Sequence, residues 1–212
     1  MNGAVRVENE KRAAAEAAAA LVEDGMNVGL GTGSTVGFLL PALAARRLER
    51  IRCVATSPET EAKARELGLP VEPFESLDQL DIAIDGADQI DPAGWLVKGG
   101  GAAHTREKIV AAAAARFIVI ASSDKEVERI RPPIPLELLR FGLAATRRAL
   151  GTVELRDTAS SPDGGVIADY TGAVGDPAEV AGRLSATPGV VEHGLFPPNL
   201  VTDVLIGSRG RV

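Results

Sequence analysis

Phe117-Ile-Val-Ile-Ala-Ser-Ser123 is the stretch that decides the fold of this chain. Its first five residues are apolar and rich in β-branched side chains, which predicts a strand buried on both faces of a sheet. Residues 105–115, just before it, have the composition of a helix. A helix that leads into a fully buried strand is typical of a parallel sheet covered by helices.

The same alternation of strands and helices extends upstream of this stretch. We predict strands at residues 26–30, 51–55 and 80–84, and helices at residues 9–23, 34–47 and 59–67. Polar residues follow each of the four strands: Gly31-Thr-Gly-Ser-Thr35, Thr56-Ser57, Asp85-Gly-Ala-Asp88 and Ser122-Ser123. Because ligands of parallel sheets bind outside the carboxyl ends of the strands, we expect these loops to converge on one rim.

Downstream of Arg131-Pro-Pro-Ile-Pro135 the pattern changes. The sequence there predicts a helix over residues 136–150, a hairpin of 153–156 with 166–170, a helix over 177–185 and a strand over 190–196. A last strand, at 201–206, returns to the main sheet. The predicted fold class is therefore α/β: a Rossmann-like parallel sheet with helices on both faces (1–130 with 201–212), plus a small α+β domain (131–200) that we expect to form subunit contacts.

Composition excludes several classes of protein. The chain has 212 residues and a net charge of −6, which argues against a general affinity for nucleic acid or an anionic membrane. Its one cysteine, Cys53, lies in a predicted strand, so no intramolecular disulfide can form. The sequence shows no leader segment and no apolar run long enough to span a membrane, so we expect a cytoplasmic location.

Gly29-Leu-Gly-Thr-Gly-Ser-Thr35 lies between a predicted strand and a predicted helix. Glycines allow a tight turn there, and the free N–H groups at a helix N-terminus bind anions, so the segment suits a phosphate. A simple turn capped by Ser34 is the alternative. A dinucleotide fingerprint would need glycine at position 34 and an acid where Thr56-Ser57 stands, and a P-loop would need Gly-Lys-Ser/Thr.

Three carboxylates, Asp85, Asp88 and Asp91, follow the third predicted strand. They could bind a metal, accept hydrogen bonds from sugar hydroxyls, transfer protons or simply form a turn. The turn is our interpretation for Asp91, which precedes a proline. A metal site is disfavoured because His104 and His193 lack any ligand spacing.

Lys98-Gly-Gly-Gly101 places a cation in a segment whose backbone can approach a ligand closely. Glu107 follows in the first turn of the next predicted helix, where an acid can also merely complement the helix dipole. Two further cations, Lys125 after a strand end and Lys11 in the first helix, are either solvated or available to an anion.

Taken in order, these motifs resemble those of ribose-5-phosphate isomerase, type A. The resemblance extends over nearly the whole chain and includes three further stretches: Gly101-Ala-Ala-His-Thr-Arg-Glu-Lys108, Ile134-Pro-Leu-Glu137 and Pro188-Gly-Val-Val-Glu-His-Gly-Leu-Phe196. It implies interconversion of D-ribose 5-phosphate and D-ribulose 5-phosphate through an enediolate, without a metal or another cofactor. It also implies a homodimer or homotetramer.

The resemblance implies a role for each candidate residue. Glu107 would be the base that carries a proton between C1 and C2, while Asp85, Asp88 and Lys98 would assist ring opening and stabilise charge on the oxygens. The implied substrate-binding set is Thr32, Gly33, Ser34, Thr35, Asp85, Gly86, Ala87, Asp88, Lys98, Gly99, Gly100, Gly101, Lys125 and Lys11. A base, a donor to the enediolate oxygen and a phosphate anchor are what this chemistry requires.

The chain departs from the family pattern in three places. It has Ser122-Ser-Asp124 for the usual Asp-x-Ser, Pro162-Asp-Gly-Gly165 for Asp-x-Gly-Asn, and His104 where leucine is common. None of these removes a proposed catalytic group.

Two other classes of function compete with an isomerase. A sugar-phosphate-sensing regulatory domain should carry a helix-turn-helix module, but only about 25 residues, which predict one helix, precede the first strand. A nicotinamide-dependent oxidoreductase is disfavoured by Ser34 and by the missing acid after the second strand.

Overall fold

A computed structural model describes residues 3–158, 160–208 and 210–211 of the chain. Its helices are α1 (Gly3–Ala20), α2 (Val36–Ala45), α3 (Pro58–Glu66), α4 (His104–Ala113), α5 (Leu143–Leu150) and α6 (Pro177–Ser185). Its strands are β1 (Asn27–Leu30), β2 (Arg52–Ala55), β3 (Leu80–Gly86), β4 (Gln89–Ile90), β5 (Leu96–Val97), β6 (Ala114–Ala121), β7 (Ile134–Leu138), β8 (Val153–Leu155), β9 (Val166–Tyr170), β10 (Val190–His193), β11 (Leu195–Phe196), β12 (Asp203–Ile206) and β13 (Gly210–Arg211).

The chain divides into two compact units. The first unit comprises Met1–Ala87, Arg106–Glu126 and Asn199–Val212. Its sheet has the strand order β13-β12-β6-β3-β1-β2, in which the last five strands are parallel and β13 pairs antiparallel with β12 at the edge. The predicted Rossmann-like parallel sheet is confirmed, and so is the return of a C-terminal strand to it.

Helices cover both faces of this sheet. On one face, the alanine side of α1 packs with α2 over Val28, Leu30 and Ile84 in a hydrophobic core. On the other face α4 approaches β1 so closely that a Cβ at Gly29 would lie 2.5 Å from Val110 Cγ1. With aromatic residues scarce, alanine and glycine let helices and strands approach closely enough to fill the core.

The second unit comprises Asp88–Thr105 and Val127–Pro198. It holds a four-stranded antiparallel sheet of order β10-β7-β9-β8 and a three-stranded sheet of order β11-β5-β4. Helices α5 and α6 pack on a core that includes Leu136, Leu138 and Leu184. The predicted hairpin corresponds to β8 and β9, and the helix predicted over residues 177–185 is α6, so the α+β character of this region is confirmed.

Two predictions for this region were wrong. Residues 136–138 belong to strand β7 and not to a helix, because β7 is the central strand between β9 and β10 and all five of its residues are buried. The helix begins only after Gly142, whose φ of 70° lies in the left-handed region that favours glycine. The single strand predicted over 190–196 is two strands, β10 and β11, which belong to different sheets.

The structure assigns residues 88–105 to the second unit, whereas the sequence places them in the first domain. The domains predicted from the sequence, 1–130 with 201–212 and 131–200, stay a prediction. Among the described residues, no helix is both long and apolar enough to cross a membrane.

Candidate active site

The loop after β1, residues 31–35, is here called the first glycine loop. A Cβ at Gly31 would lie 2.0 Å from Asp85 Cγ, and Gly33 has a φ of 121°. Both positions therefore require glycine. Ser34 does not cap α2: the N-cap residue is Thr35, which makes no side-chain capping bond, and the Ser34 hydroxyl accepts from Lys11 Nζ at 2.9 Å. The capping alternative for Ser34 is thus wrong.

Hydroxyl groups join the first glycine loop to the loop after β2. Thr32 Oγ1 and Thr56 Oγ1 are hydrogen-bonded at 2.7 Å, and Thr60 Oγ1 donates to the Gly31 carbonyl at 2.9 Å. Ser57 is the N-cap of α3 and accepts from the Thr60 N–H. The expected convergence of the first two strand-end loops is therefore found.

Asp85 links these loops to the end of β3. Its carboxylate is buried, and Oδ1 accepts from the Thr32 N–H at 3.0 Å and from the Gly86 N–H at 2.7 Å. Backbone donors to an ionised carboxylate form strong hydrogen bonds, so Asp85 is held in one position against the first glycine loop.

The loop after β6 is held by α1 through Glu10, a residue that sequence reasoning did not single out. Glu10 Oε2 accepts from both the N–H and the hydroxyl of Ser123, each at 2.7 Å. These bonds hold the pKa of Glu10 below its usual value, and the bond from the Ser123 backbone N–H has the larger effect. Ser122 donates to Asp124, so every member of the unusual Ser-Ser-Asp sequence before Lys125 is hydrogen-bonded.

In the second unit, Lys98 lies at the start of the second glycine loop, residues 98–101. Its side chain is 2% exposed and its ammonium lies 5.5 Å from the centre of the Phe196 ring. Gly99 has a φ of 103°, and a Cβ there would lie 2.8 Å from both His104 Nδ1 and Pro135 Cβ. The glycines are thus required by backbone conformation and by close packing.

Asp88 faces the second glycine loop. The Gly100 N–H donates to Asp88 Oδ2 at 2.8 Å, and the Asp88 N–H donates to the Val97 carbonyl at 2.7 Å. Asp91, by contrast, accepts from the N–H groups of Ala93 and Trp95, which confirms its interpretation as a turn residue.

Glu107 occupies the first turn of α4 and is only 4% exposed. An acid that merely complements a helix dipole is usually solvated, whereas this carboxylate is withdrawn from water. His104, the first residue of the same helix, is fully buried.

The candidate residues are distributed over both units. The first unit contains Glu107, Asp85, Lys125, Lys11 and residues 32–35, together with Gly86 and Ala87. The second contains Asp88, Lys98, Gly99, Gly100 and Gly101. Within the described part of the chain, no group of three or more histidine, cysteine or acidic residues could hold a metal ion. Metal independence remains a prediction.

The fold and these residues define a class: an α/β protein whose first unit has a glycine loop at a strand end and the buried acids Asp85 and Glu107, and whose second unit has a glycine-flanked lysine. Comparison with known proteins narrows the class. The profile of ribose 5-phosphate isomerase A (phosphoriboisomerase A) matches residues 52–211. The chain belongs to the ribose 5-phosphate isomerase A family.

Individual relatives agree with this assignment. A protein of Roseiflexus castenholzii named ribose-5-phosphate isomerase A is 46% identical over 218 residues, covering 95% of this chain and 93% of the relative. The crystal structure of ribose 5 phosphate isomerase A from Neisseria gonorrhoeae superposes with a TM-score of 0.91 at 32% identity, covering 98% and 96% of the two chains. A D-ribose-5-phosphate isomerase in complex with phospho-erythronic acid gives a TM-score of 0.90 at 33% identity, covering 100% and 98%.

Proposed function

We propose that this chain is a ribose-5-phosphate isomerase, an intramolecular oxidoreductase that interconverts D-ribose 5-phosphate and D-ribulose 5-phosphate in the non-oxidative pentose phosphate pathway. Family membership and the relative that binds phospho-erythronic acid support this function. The observation that carries it is the buried Asp85, held by the Thr32 N–H at the carboxyl end of two neighbouring parallel strands. This is where sheets of this type bind their ligands.

The first glycine loop is the proposed phosphate anchor. The hydroxyl groups of Thr32, Ser34 and Thr35 and the N–H groups of residues 33–35 lie at the start of α2, whose N-terminus attracts anions. Lys11 already contacts Ser34 and would add a positive charge, and Lys125 would add another. An anchored phosphate fixes the sugar so that its reacting carbons have one position.

Glu107 is the proposed base. In the aldose-to-ketose direction it would take the proton from C2 of the open-chain sugar, leaving an enediolate, and return that proton to C1. A second proton moves from O2 to O1, so the sugar is oxidised at C2 and reduced at C1 with no external oxidant. A buried carboxylate can keep the transferred proton from exchanging freely with water.

Lys98, Asp85 and Asp88 are the proposed partners of the sugar oxygens. The Lys98 ammonium would stabilise negative charge on the enediolate, because an ion in a dry site interacts strongly with a developing charge. Asp85 and Asp88 would accept and return hydroxyl protons during ring opening. Gly86, Ala87 and Gly99, Gly100 and Gly101 would supply backbone close to the substrate.

The test is conversion of ribose 5-phosphate to ribulose 5-phosphate in the presence of a chelator. Activity that survives chelation supports the substrate class and metal independence together; a folded, inactive protein contradicts the proposal. Glu107→Gln should lower kcat by about 10²–10⁴-fold, the usual contribution of a positioned general base. Glu179→Gln is the matched control, because Glu179 also lies in the first turn of a helix, α6, but is exposed.

We also propose that the enzyme works in the cytoplasm as a homodimer or homotetramer, with contacts through the second unit. Phe141 is 92% exposed and Leu139 is 50% exposed in that unit, and large exposed apolar side chains are common at subunit interfaces. Light scattering on the wild type and on Phe141→Ser tests this: a monomeric wild type contradicts it.

A further inference from the structure

Arg156 makes a set of contacts in the second unit that the proposed mechanism has not used. Its Nε and Nη2 atoms donate to the two carboxylate oxygens of Asp169, each at 2.7 Å. Its Nη1 atom donates to the carbonyl of Gly99 at 2.8 Å and to that of Gly100 at 3.2 Å. One guanidinium therefore joins strand β9 to the second glycine loop.

The geometry of the peptide bond makes the contact with Gly99 informative. In a planar trans peptide, the carbonyl and the following N–H point in opposite directions. The carbonyl of Gly99 accepts from Arg156, and the N–H on the other side of the same peptide, that of Gly100, donates to Asp88 Oδ2 at 2.8 Å. Arg156 and Asp88 thus hold one peptide unit from its two sides.

Within its own segment, the Gly99 carbonyl also accepts from the Ala102 N–H at 3.0 Å, so Arg156 adds to a turn that already restrains this peptide unit. Gly99 and Gly100 lack side chains, and glycine reaches both positive and negative φ at little cost. Rotation of the 99–100 peptide would turn its N–H away from Asp88, whose carboxylate would lose a charge-assisted hydrogen bond. The Arg156 contact with the carbonyl opposes that rotation.

Arg156 is itself well fixed. Its backbone N–H donates to the Ile167 carbonyl at 3.0 Å, and its side chain is only 18% exposed, as is that of Asp169. The hydrogen bonds that Arg156 donates to Asp169 are the largest cause of a raised Arg156 pKa, and the charges of Asp169 and Asp88 raise it further. A planar guanidinium with a bidentate carboxylate partner is a rigid donor, and lysine could not reproduce its geometry.

We infer that Arg156, oriented by Asp169, is a positioning residue that sets the 99–100 peptide and, through the Gly100 N–H, the carboxylate of Asp88 for the isomerisation. Its effect on turnover rests on the proposed function. Its effect on the Gly100 N–H does not, because that is a property of the second unit alone.

The activity test compares Arg156→Gln, Arg156→Lys and Asp169→Asn with the wild type on ribose 5-phosphate. Misplacement of a reacting group by about 1 Å costs on the order of 10²-fold, so we expect Arg156→Gln to lower kcat by about 10- to 100-fold. We expect KM, and inhibition by inorganic phosphate, to change less than about threefold, because the phosphate anchor lies in the first unit and keeps its own contacts. The kcat values of Arg156→Lys and Asp169→Asn should lie between those of the wild type and Arg156→Gln.

The matched control is Arg183→Gln. Arg183 also lies in the second unit, where its Nη2 atom donates to the Tyr170 hydroxyl at 2.8 Å and its guanidinium lies 5.1 Å from the centre of that ring. Loss of this contact should lower stability without lowering kcat. Equal losses of kcat in the Arg156 and Arg183 variants would overturn the inference, as would an unchanged kcat in folded Arg156→Gln.

Hydrogen exchange of the Gly100 amide, followed by NMR, tests the positioning step without turnover. We expect exchange at Gly100 to be at least about tenfold faster in Arg156→Gln or Arg156→Lys than in the wild type, since opening of a local hydrogen bond sets this rate. Gly94, whose N–H donates to the Asp91 carbonyl at 3.0 Å, is the internal reference. An unchanged Gly100 rate overturns the inference. An inactive wild type with faster Gly100 exchange in the variants would contradict the proposed function only.

Discussion

The backbone N–H of Thr32 donates to Asp85 Oδ1 at 3.0 Å, and this bond ties the loop after β1 to the end of β3. The two strands are neighbours, although β2 lies between them in the sequence, because β2 pairs with the outer edge of β1. The chain thus changes direction across the sheet at this point, which is where open parallel sheets bind ligands. The Thr32–Asp85 bond therefore lies at the topological switch point of the sheet, between the two strands from which the chain continues in opposite directions.

The close approach of Gly31 to Asp85 leads to the first prediction. Gly31→Ala would place a Cβ about 2 Å from the Asp85 carboxylate, so either the loop or the acid must move. We expect kcat/KM for ribose 5-phosphate to fall by about 10²-fold, as for other misplacements on this scale. Steady-state kinetics measures this. The control is Gly182→Ala in helix α6, where a Cβ meets no atom within 4 Å and activity should be unchanged.

A second prediction separates the phosphate anchor from the chemistry. Lys11→Met keeps the length of the side chain but removes the charge that contacts Ser34. We expect KM to rise about tenfold with kcat within about twofold, because uniform binding energy is lost. Lys63→Met, which removes an exposed charge in α3, should leave both constants as they are. A fall in kcat with constant KM would instead assign Lys11 to the chemical step.

Much of the first unit could be predicted from the sequence because its signals are local. Each parallel strand is a short apolar run, and each is followed by glycines, hydroxyls or acids at the rim. The return of a last strand to the sheet, predicted at residues 201–206 and found as β12, needed only this alternation, whereas the strand order was not predicted. The arrangement of the strand-end loops follows from the parallel sheet itself.

The second unit was harder because its decisive contacts are long-range. Residues 136–138 form a strand only because β9 and β10 pair with them on both sides, and no local pattern separates such a run from a buried helix. Arg156 and Gly99 are separated by 57 positions, and the same difficulty arises in the first unit for Glu10 and Ser123, which are 113 positions apart. A lone glutamate in a helix or an arginine at a strand end gives no signal of such a partner.

The single cysteine provides a third prediction. Cys53 is fully buried in the core of the first unit, and desolvation, with a smaller effect of the Glu72 charge, raises its pKa to about 12. Because the thiolate is the reactive form, the native protein should not react with a disulfide reagent at about pH 8. The same reagent should titrate one thiol per chain after unfolding in urea. Rapid labelling of the folded protein would contradict this burial.

Position 165, where the chain departs from the family pattern, gives a fourth prediction. A Cβ at Gly165 would lie 2.2 Å from Oε1 of Glu137, a buried carboxylate that accepts hydrogen bonds from Ser161 and Thr105. Gly165→Ala should therefore lower the free energy of unfolding by about 1–3 kcal/mol, the usual cost of overpacking. Urea titration measures this. Gly175→Ala, where a Cβ meets no atom within 4 Å, is the control. An equally stable Gly165→Ala would mean that Glu137 moves freely.

The last prediction concerns the pH dependence that Glu10 gives to stability. Its two hydrogen bonds from Ser123 lower its pKa in the folded chain below the ordinary value of 4.5. A carboxylate of this kind stabilises the folded state above its unfolded pKa, and the contribution is lost as the pH falls through the lowered folded value. Glu10→Gln should therefore be less stable than the wild type at about pH 7, and the two should converge as the pH falls below the lowered folded pKa of Glu10.

Urea unfolding midpoints at several pH values measure this convergence. Glu16→Gln is the matched control, because Glu16 lies in the same helix but is exposed, so its variant should track the wild type at every pH. Since Glu10 also holds the loop that carries Lys125, the Glu10→Gln variant should bind inorganic phosphate more weakly than Glu16→Gln at about pH 7. A stability difference that stays constant with pH would show that the Glu10–Ser123 contact does not depend on the ionised carboxylate.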